Sequence, residues 1–283
     1  MEKIKIFADS TCDLLKDLVQ KYDIQIIPLN IVMDEKSYLD GVELTPDEIY
    51  EWSDKTGQTP KTAAVGFETA WNAFSAFDDK DTHMIVFGIS EQMSTTCNVF
   101  RLIADELKYA KLHVIDSMNL STGIGLQVIR AAEMALEGKS AEEIVAGIEA
   151  VRDKVRASFV VDSFTFLHRG GRCSAVTALF GGALKIKPQI SVVDGKMGVA
   201  KKFRGNIEGV IMKYVEQLTP ELMEADSKRV FITHSGCSLE VVNAVKAELS
   251  KLNYFEEIIE TRAGGVISSH CGPNTLGVLF YEK

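Results

Sequence analysis

The chain has 283 residues, of which 46% are apolar and 25% charged, with 31 basic against 40 acidic side chains and a net charge of −9. That balance belongs to an ordinary folded protein and excludes a disordered, collagen-like or coiled-coil chain. The acidic excess argues against general nucleic-acid binding, which needs a basic footprint, and the length suits two domains of moderate size better than one core.

Near the amino terminus there is no uninterrupted apolar stretch long enough for a signal peptide or a membrane span, so a cytoplasmic protein without stable membrane insertion is expected. Residues 3–8 alternate as a short strand and end in Asp9-Ser10-Thr11, after which Leu14, Leu15, Leu18, Val19 and Tyr22 recur at helical spacing. Thr45-Pro46-Asp47-Glu48 marks a helix start, with a hydroxyl at N-cap, proline at N1 and glutamate at N3. Residues 83–89 predict a second strand, followed by Ser90 to Ser94 and a helix through Phe100, Ile103, Ala104 and Leu107. A third strand at 112–116 leads through Ser117 into a helix ending near Gly138, and Ser140-Ala141-Glu142-Glu143 opens another. Strands alternating with helices in this way predict a mostly parallel sheet.

From about residue 158 the texture changes. Gln189–Val193, Asp194-Gly195 and Met197–Phe203 carry a hairpin signal, and helices are expected at about 206–217 and 238–250. The second half therefore reads as mixed α/β, with domains at 1–157 and 158–283. The first of these carries 16 basic and 27 acidic residues and the second 15 and 13, giving −11 and +2. Within 163–204 eight basic residues, among them Arg169, Arg172, Lys185 and Arg204, face Asp194 alone.

The five cysteines are scattered and read as reduced thiols rather than a disulfide framework. Phosphate-loop, dinucleotide-binding, zinc-hydrolase and nucleophile-elbow signatures are missing, so no cofactor is expected. His234, Cys237, His270 and Cys271 are spaced like metal ligands, but adjacent strand residues point to opposite faces, and no metal is expected there either. His83, His113, His168 and His234 carry no argument by themselves. What remains is a row of hydroxyls (Ser10, Thr11, Ser90, Ser94, Ser117) at the carboxyl ends of predicted strands, where open α/β sheets bind ligands. Taken singly, each reads most simply as a helix N-cap.

The series Phe7-Ala8-Asp9-Ser10, Pro60-Lys61-Thr62, Ile89 to Ser94, Leu167-His168-Arg169-Gly170-Gly171-Arg172, Leu184-Lys185-Ile186-Lys187-Pro188 and His270-Cys271-Gly272-Pro273 resembles the DegV family of bacterial fatty-acid-binding proteins over essentially the whole chain. The resemblance implies a two-domain α/β fold with a long-chain fatty acid, such as palmitate, buried between the domains. In one branch it implies the binding subunit of a two-component fatty acid kinase, presenting the acyl carboxyl to a separate ATP-binding subunit. By the same resemblance Thr62, Ser94 and His270 hold the carboxylate. The basic stretch at 163–204 reads either as a solvated face or as a landing patch for an acyl phosphate or an acidic partner surface, with Arg172 and Arg204 as the phosphate or partner contacts. The chain departs from the family pattern at Ala63-Ala64-Val65, where Ser, Gln and Pro are usual, at Thr95, at Asn206 and at Asn274.

Physical chemistry supports the same ligand. A tail of fifteen or so methylenes supplies on the order of 12 kcal/mol before ordering costs, whereas a buried carboxylate needs only to be satisfied by donors. Phe159, Phe164, Phe166, Leu167, Val176, Leu179, Phe180, Leu184 and Ile186 offer apolar wall material. Two other functions stay open at this level: an acyl hydrolase with Ser94 as nucleophile and His270 as base, and a lipid-sensing regulator that docks some other protein.

Overall fold

The computed structural model describes residues 2–77, 79, 81–107, 111–173 and 186–283. Val176, Leu179, Phe180, Leu184, Lys185 and the pair Gly181-Gly182 lie outside the described residues. In chain order, β1 (Lys3–Asp9) runs through a 3₁₀ turn (Ser10–Cys12) to α1 (Lys16–Lys21), β2 (Gln25–Ile27), β3 (Asn30–Met33) and β4 (Lys36–Leu39). There follow α2 (Pro46–Thr56), β5 (Lys61–Ala63), α3 (Phe67–Ser75), β6 (Thr82–Gly88), α4 (Thr96–Glu106), β7 (Lys111–Asp116), α5 (Thr122–Leu136) and α6 (Ala141–Glu149). The rest comprises β8 (Val155–Val160), α7 (Phe164–Gly170), β9 (Ile186–Val193), β10 (Lys196–Arg204), α8 (Ile207–Met223), β11 (Ala225–His234), α9 (Leu239–Lys251), β12 (Glu257–Arg262), α10 (Gly265–Cys271) and β13 (Leu276–Glu282).

The first sheet is parallel throughout, in the order β2-β1-β6-β7. All seven residues of β6 are buried, as befits a central strand covered by helices on both faces. The second sheet is mixed and six-stranded, β10-β9-β8-β13-β11-β12, with only β11 and β12 parallel. The chain passes from one sheet to the other between Asp116 and Val155, and residue 157 lies inside β8. This is the expected α/β architecture, a parallel sheet followed by a mixed one. An apolar cluster runs across both sheets, from Ala8 and Phe87 through Leu120 and Ile267 to Phe159 and Ile190. Among the described residues, no helix is long and apolar enough to cross a membrane.

Local chemistry accounts for the elements that were expected. Thr45 with Glu48 and Ser140 with Glu143 form complete capping boxes. The β9–β10 hairpin turns on Asp194 and Gly195, both at positive φ, the two-residue turn whose twist matches the strands. Among the features that were not expected, two bear on the site. A small antiparallel sheet, β4-β3-β5, carries Thr62, paired with Ile31. His270 and Cys271 lie on helix α10, not on a strand, and its first amides are held by Asp13 and Asp40 from the far end of the chain.

Three buried carboxyls, Asp9, Asp13 and Asp40, gather where β1 ends. Burial pushes Asp9 up to about 6 against the bonds donated by Thr11 and Ile89. An acid whose folded pKa is raised contributes stability that is full below the unfolded value of 3.8 and is lost as pH rises through 6. That shift amounts to about 3 kcal/mol at most. Asp9→Asn should therefore gain stability relative to the natural chain between pH 4 and 7, measured by urea unfolding at each pH. A difference that does not change with pH would contradict the buried, protonated carboxyl.

Candidate functional site

The segment after β2, the carboxyl end of β6 and helix α10 face one another across a small cavity. Thr62 reaches it from β5, Ser94 from the turn between β6 and α4, and His270 from the last turn of α10. Thr62 Oγ1 and His270 Nε2 are 2.8 Å apart, joining residues 208 positions distant in the chain. Ser94 Oγ accepts from the Thr96 amide at 3.3 Å and shares a hydrogen bond with Thr96 Oγ1 at 3.0 Å.

The protonation of His270 follows from its surroundings. Burial, with Arg172 adding its positive charge, holds the ring down at about 4, so it is neutral near pH 7. Its Nδ1 is buried and has no hydrogen-bond partner among the described residues. An orphaned N–H is rarer than an orphaned acceptor, which places the ring proton on Nε2, inferred from the network. Nε2–H then donates to Thr62 Oγ1, and the threonine O–H is left to donate into the cavity.

Gly170 explains why Nδ1 faces a bare backbone. A Cβ there would stand 2.2 Å from His270 Nδ1, so the end of α7 approaches the ring only because this residue is glycine. The next residue, Gly171, adopts φ 69° as the left-handed cap of α7. At Gly272 a Cβ would meet the Phe166 ring at 2.6 Å. The Arg-Gly-Gly-Arg and His-Cys-Gly segments are thus two surfaces of one contact.

Arg172 also lines the cavity, but its guanidinium donates to the carbonyls of Gly170, at 2.9 Å, and Met93, at 3.4 Å. Arg204 is exposed at the end of β10 and does not line the cavity, so the structure does not bring these two arginines together there. Ala63 and Ala64 form part of the wall. Ser10 and Ser90 serve the framework: Ser10 donates to Asp40, and Ser90 donates to Gly195 O at 2.7 Å, docking the hairpin that supplies Met197.

The cavity holds about 40 Å³ and is otherwise apolar, walled by Leu29, Ile89, Met93, Leu120, Val266 and Ile267. A second, of about 20 Å³, lies beyond Leu120, Ile267 and Cys271, which line both, and reaches Phe159 and Leu279. Of the expected wall residues Phe159 lies here, Leu167 is buried in the core, and Phe166 packs on Gly272 and Tyr50. Leu120, Met93 and Ile267 were missed, although their place next to Ser121, Ser94 and the helix bearing His270 could have signalled them. A larger open cleft of about 500 Å³ lies near Arg152, Arg156 and Lys201, but its mixed polar lining does not enclose an alkyl chain.

The geometry is not that of a nucleophile and its base. Ser94 bonds to Thr96 rather than to His270, and His270 is engaged with Thr62 and presents its other nitrogen to Gly170. A triad needs a third group orienting the histidine through that second nitrogen, and among the described residues none bonds to Nδ1. The site offers neutral hydroxyl donors at the mouth of an apolar recess.

A family model described as "Uncharacterised protein, DegV family" matches residues 3–283. A DegV domain-containing protein of Caldanaerobacter subterraneus is 32% identical over 285 residues, covering all of both chains. Among solved structures, a DegV family protein from Thermus thermophilus, described by its fatty acid binding, superposes with TM-score 0.90 at 28% identity over the full length of both chains. A stearic-acid-binding protein from Eubacterium ventriosum gives TM-score 0.85 at 26% identity, covering 99% of this chain and 98% of that one.

Gly170→Ala should displace the His270 ring and break its bond to Thr62, costing about 1–3 kcal/mol by overpacking. Thermal unfolding measures the loss, and NMR should show the His270 ring moving from its low pKa toward 6.5 as it gains solvent. An unchanged midpoint and titration would refute the close approach.

Proposed function

The chain belongs to the DegV family, and on that premise we propose that it is a cytoplasmic, non-catalytic carrier of one long-chain fatty acid. The carboxylate lies at Thr62, Ser94 and His270, between an N-terminal domain of residues 1–157 and a C-terminal domain of 158–283. The tail passes Leu120, Ile267 and Cys271 toward Phe159. The observation that carries this reading is the Thr62–His270 pair, 2.8 Å apart, opening with Ser94 onto an apolar cavity that a few side chains divide from a second one. Fatty acid ligands in the Thermus and Eubacterium relatives favour the same ligand class.

Thr62 and Ser94 each donate one hydroxyl to the carboxylate, worth about 1.5–3 kcal/mol when the acceptor is charged. His270 acts behind Thr62, fixing which way its proton points. Affinity comes from the tail, at about 0.8 kcal/mol per buried methylene. The two cavities are smaller than such a tail, so Leu120, Ile267 and Cys271 give way as it enters. In the same reading the protein presents the acyl head to the ATP-binding subunit of a fatty acid kinase, and exposed Arg172 stands where a phosphorylated head would emerge.

Native mass spectrometry of protein purified from bacteria should show one fatty acid per chain. Thr62→Val and Ser94→Ala should each weaken palmitate binding to the delipidated protein about ten- to a hundredfold. Protein that carries no lipid and does not bind palmitate would refute the carrier. Failure of a cognate ATP-binding subunit to convert the bound acid to its acyl phosphate would refute the presentation step alone.

A further inference from the structure

We propose that His83, His113 and Glu142 form a binding site for one zinc ion, at the end of the parallel sheet opposite the lipid cavity. His83 is the second residue of β6 and His113 the third of β7. The register sets Ile85 beside His113, and His83 shares a face with Ile85, so both imidazoles stand on one face of the sheet. Glu142 comes to that face from the first turn of α6. One ligand atom from each of the three residues lies within 4.8 Å of the other two.

Two observations favour a metal over a simple histidine pair. His83 Nδ1 and His113 Nε2 are 3.4 Å apart, long for a hydrogen bond. Two imidazole nitrogens bound tetrahedrally at 2.0–2.1 Å from zinc stand about 3.3 Å apart. The other nitrogen of His83, Nε2, lies 3.9 Å from Glu2 Oε2, and that carboxylate oxygen accepts the Ala141 amide at 2.9 Å. At 3.9 Å the two are not hydrogen-bonded, but the carboxylate stands on the side where the outer support of a ligating histidine is usually found.

The two rings are parallel, 6° between planes with centroids 5.7 Å apart. A tetrahedral ion sits off the line joining the facing nitrogens, so each ring tilts toward Glu142 when the ion binds. Glu142 is exposed, which leaves the fourth position to water. Two imidazoles and one carboxylate suit zinc and its borderline neighbours, whereas calcium and magnesium prefer all-oxygen shells. The ion would tie the residue preceding β1, the starts of β6 and β7, and α6 into one clamp. Its role is therefore stability, independent of lipid loading.

Zinc and cobalt titrations of the full chain test the site, with calorimetry for stoichiometry and visible absorbance for the cobalt geometry. One ion should bind per chain, with the intense bands of tetrahedral cobalt. His113→Gln and Glu142→Gln, both away from the core, should each weaken binding at least tenfold, and the double variant should abolish it. Zinc at a hundredfold excess over Kd should raise Tm by roughly 5 °C in the natural chain and leave the double variant unmoved. With chelator the two should melt together and carry the same lipid. Absence of stoichiometric binding, or a double variant that binds as tightly as the natural chain, would overturn the proposal.

Discussion

Helix α10 depends on two buried carboxylates supplied from the other end of the chain. Asp13 accepts the Gly264 amide and Asp40 the Gly265 amide, each at 2.8 Å, across 251 and 225 positions. Their remaining oxygens accept from Ser121 and Ser10. Both acids are pulled in two directions: burial raises their pKa values, while the amides and the positive end of the helix favour the charged form. Removing either acid would leave buried amides unpaired, a cost of about 1–3 kcal/mol each. Gly265 is closed in as well, for a Cβ there would stand 2.6 Å from Ile31 Cδ1. Everything α10 carries toward the cavity, Ile267, His270 and Cys271, inherits its position from this junction.

In the proposed carrier the head-group chemistry follows from a neutral ring. A charged histidine or a free arginine in the recess would hold a carboxylate as a charge-assisted pair, strongly and with slow release. Here His270 is kept neutral, and Arg172 has its Nε and one amino group engaged by the carbonyls of Met93 and Gly170. The departures at Ala63 and Ala64 fit the same arrangement. Thr62 takes its orientation from His270 rather than from polar neighbours in its own loop, so those neighbours become apolar wall at no loss to the hydroxyl.

Much of the fold was legible because its signals are local: alternation in β1, the capping boxes at Thr45 and Ser140, the Asp194-Gly195 turn. The β3–β4 hairpin was not, because its turn residues Asp34 and Glu35 both sit at positive φ without the glycine or asparagine that usually marks such a turn. Helix α10 was not, because Gly-Val-Ile-Ser-Ser-His-Cys holds no strong helix former and two β-branched residues, and its caps lie more than two hundred residues away. Thr62, Ser94 and His270 were legible only through resemblance to a family. No local pattern links a threonine on a three-residue strand to a histidine 208 positions later, or an exposed arginine to the same cavity.

The junction at Asp13 also connects the two ends of the proposed lipid. Leu120 and Ile267 divide the head cavity from the inner one. Leu120 precedes Ser121, which donates to Asp13 from a strained backbone at φ 51°. Ile267 lies three residues beyond Gly264, whose amide Asp13 accepts. A tail pushing these two side chains apart therefore loads both hydrogen bonds of one carboxyl, and it does so on the helix that carries His270. In the proposed carrier, tail occupancy and head-group geometry are in this way mechanically one variable, since a shift of α10 that makes room at Ile267 also moves the imidazole that sets the Thr62 proton. In the proposed carrier a fatty acid of the wrong length is therefore rejected at the head as much as at the tail, a means of selection that the hydrogen bonds of Thr62 and Ser94 alone do not supply.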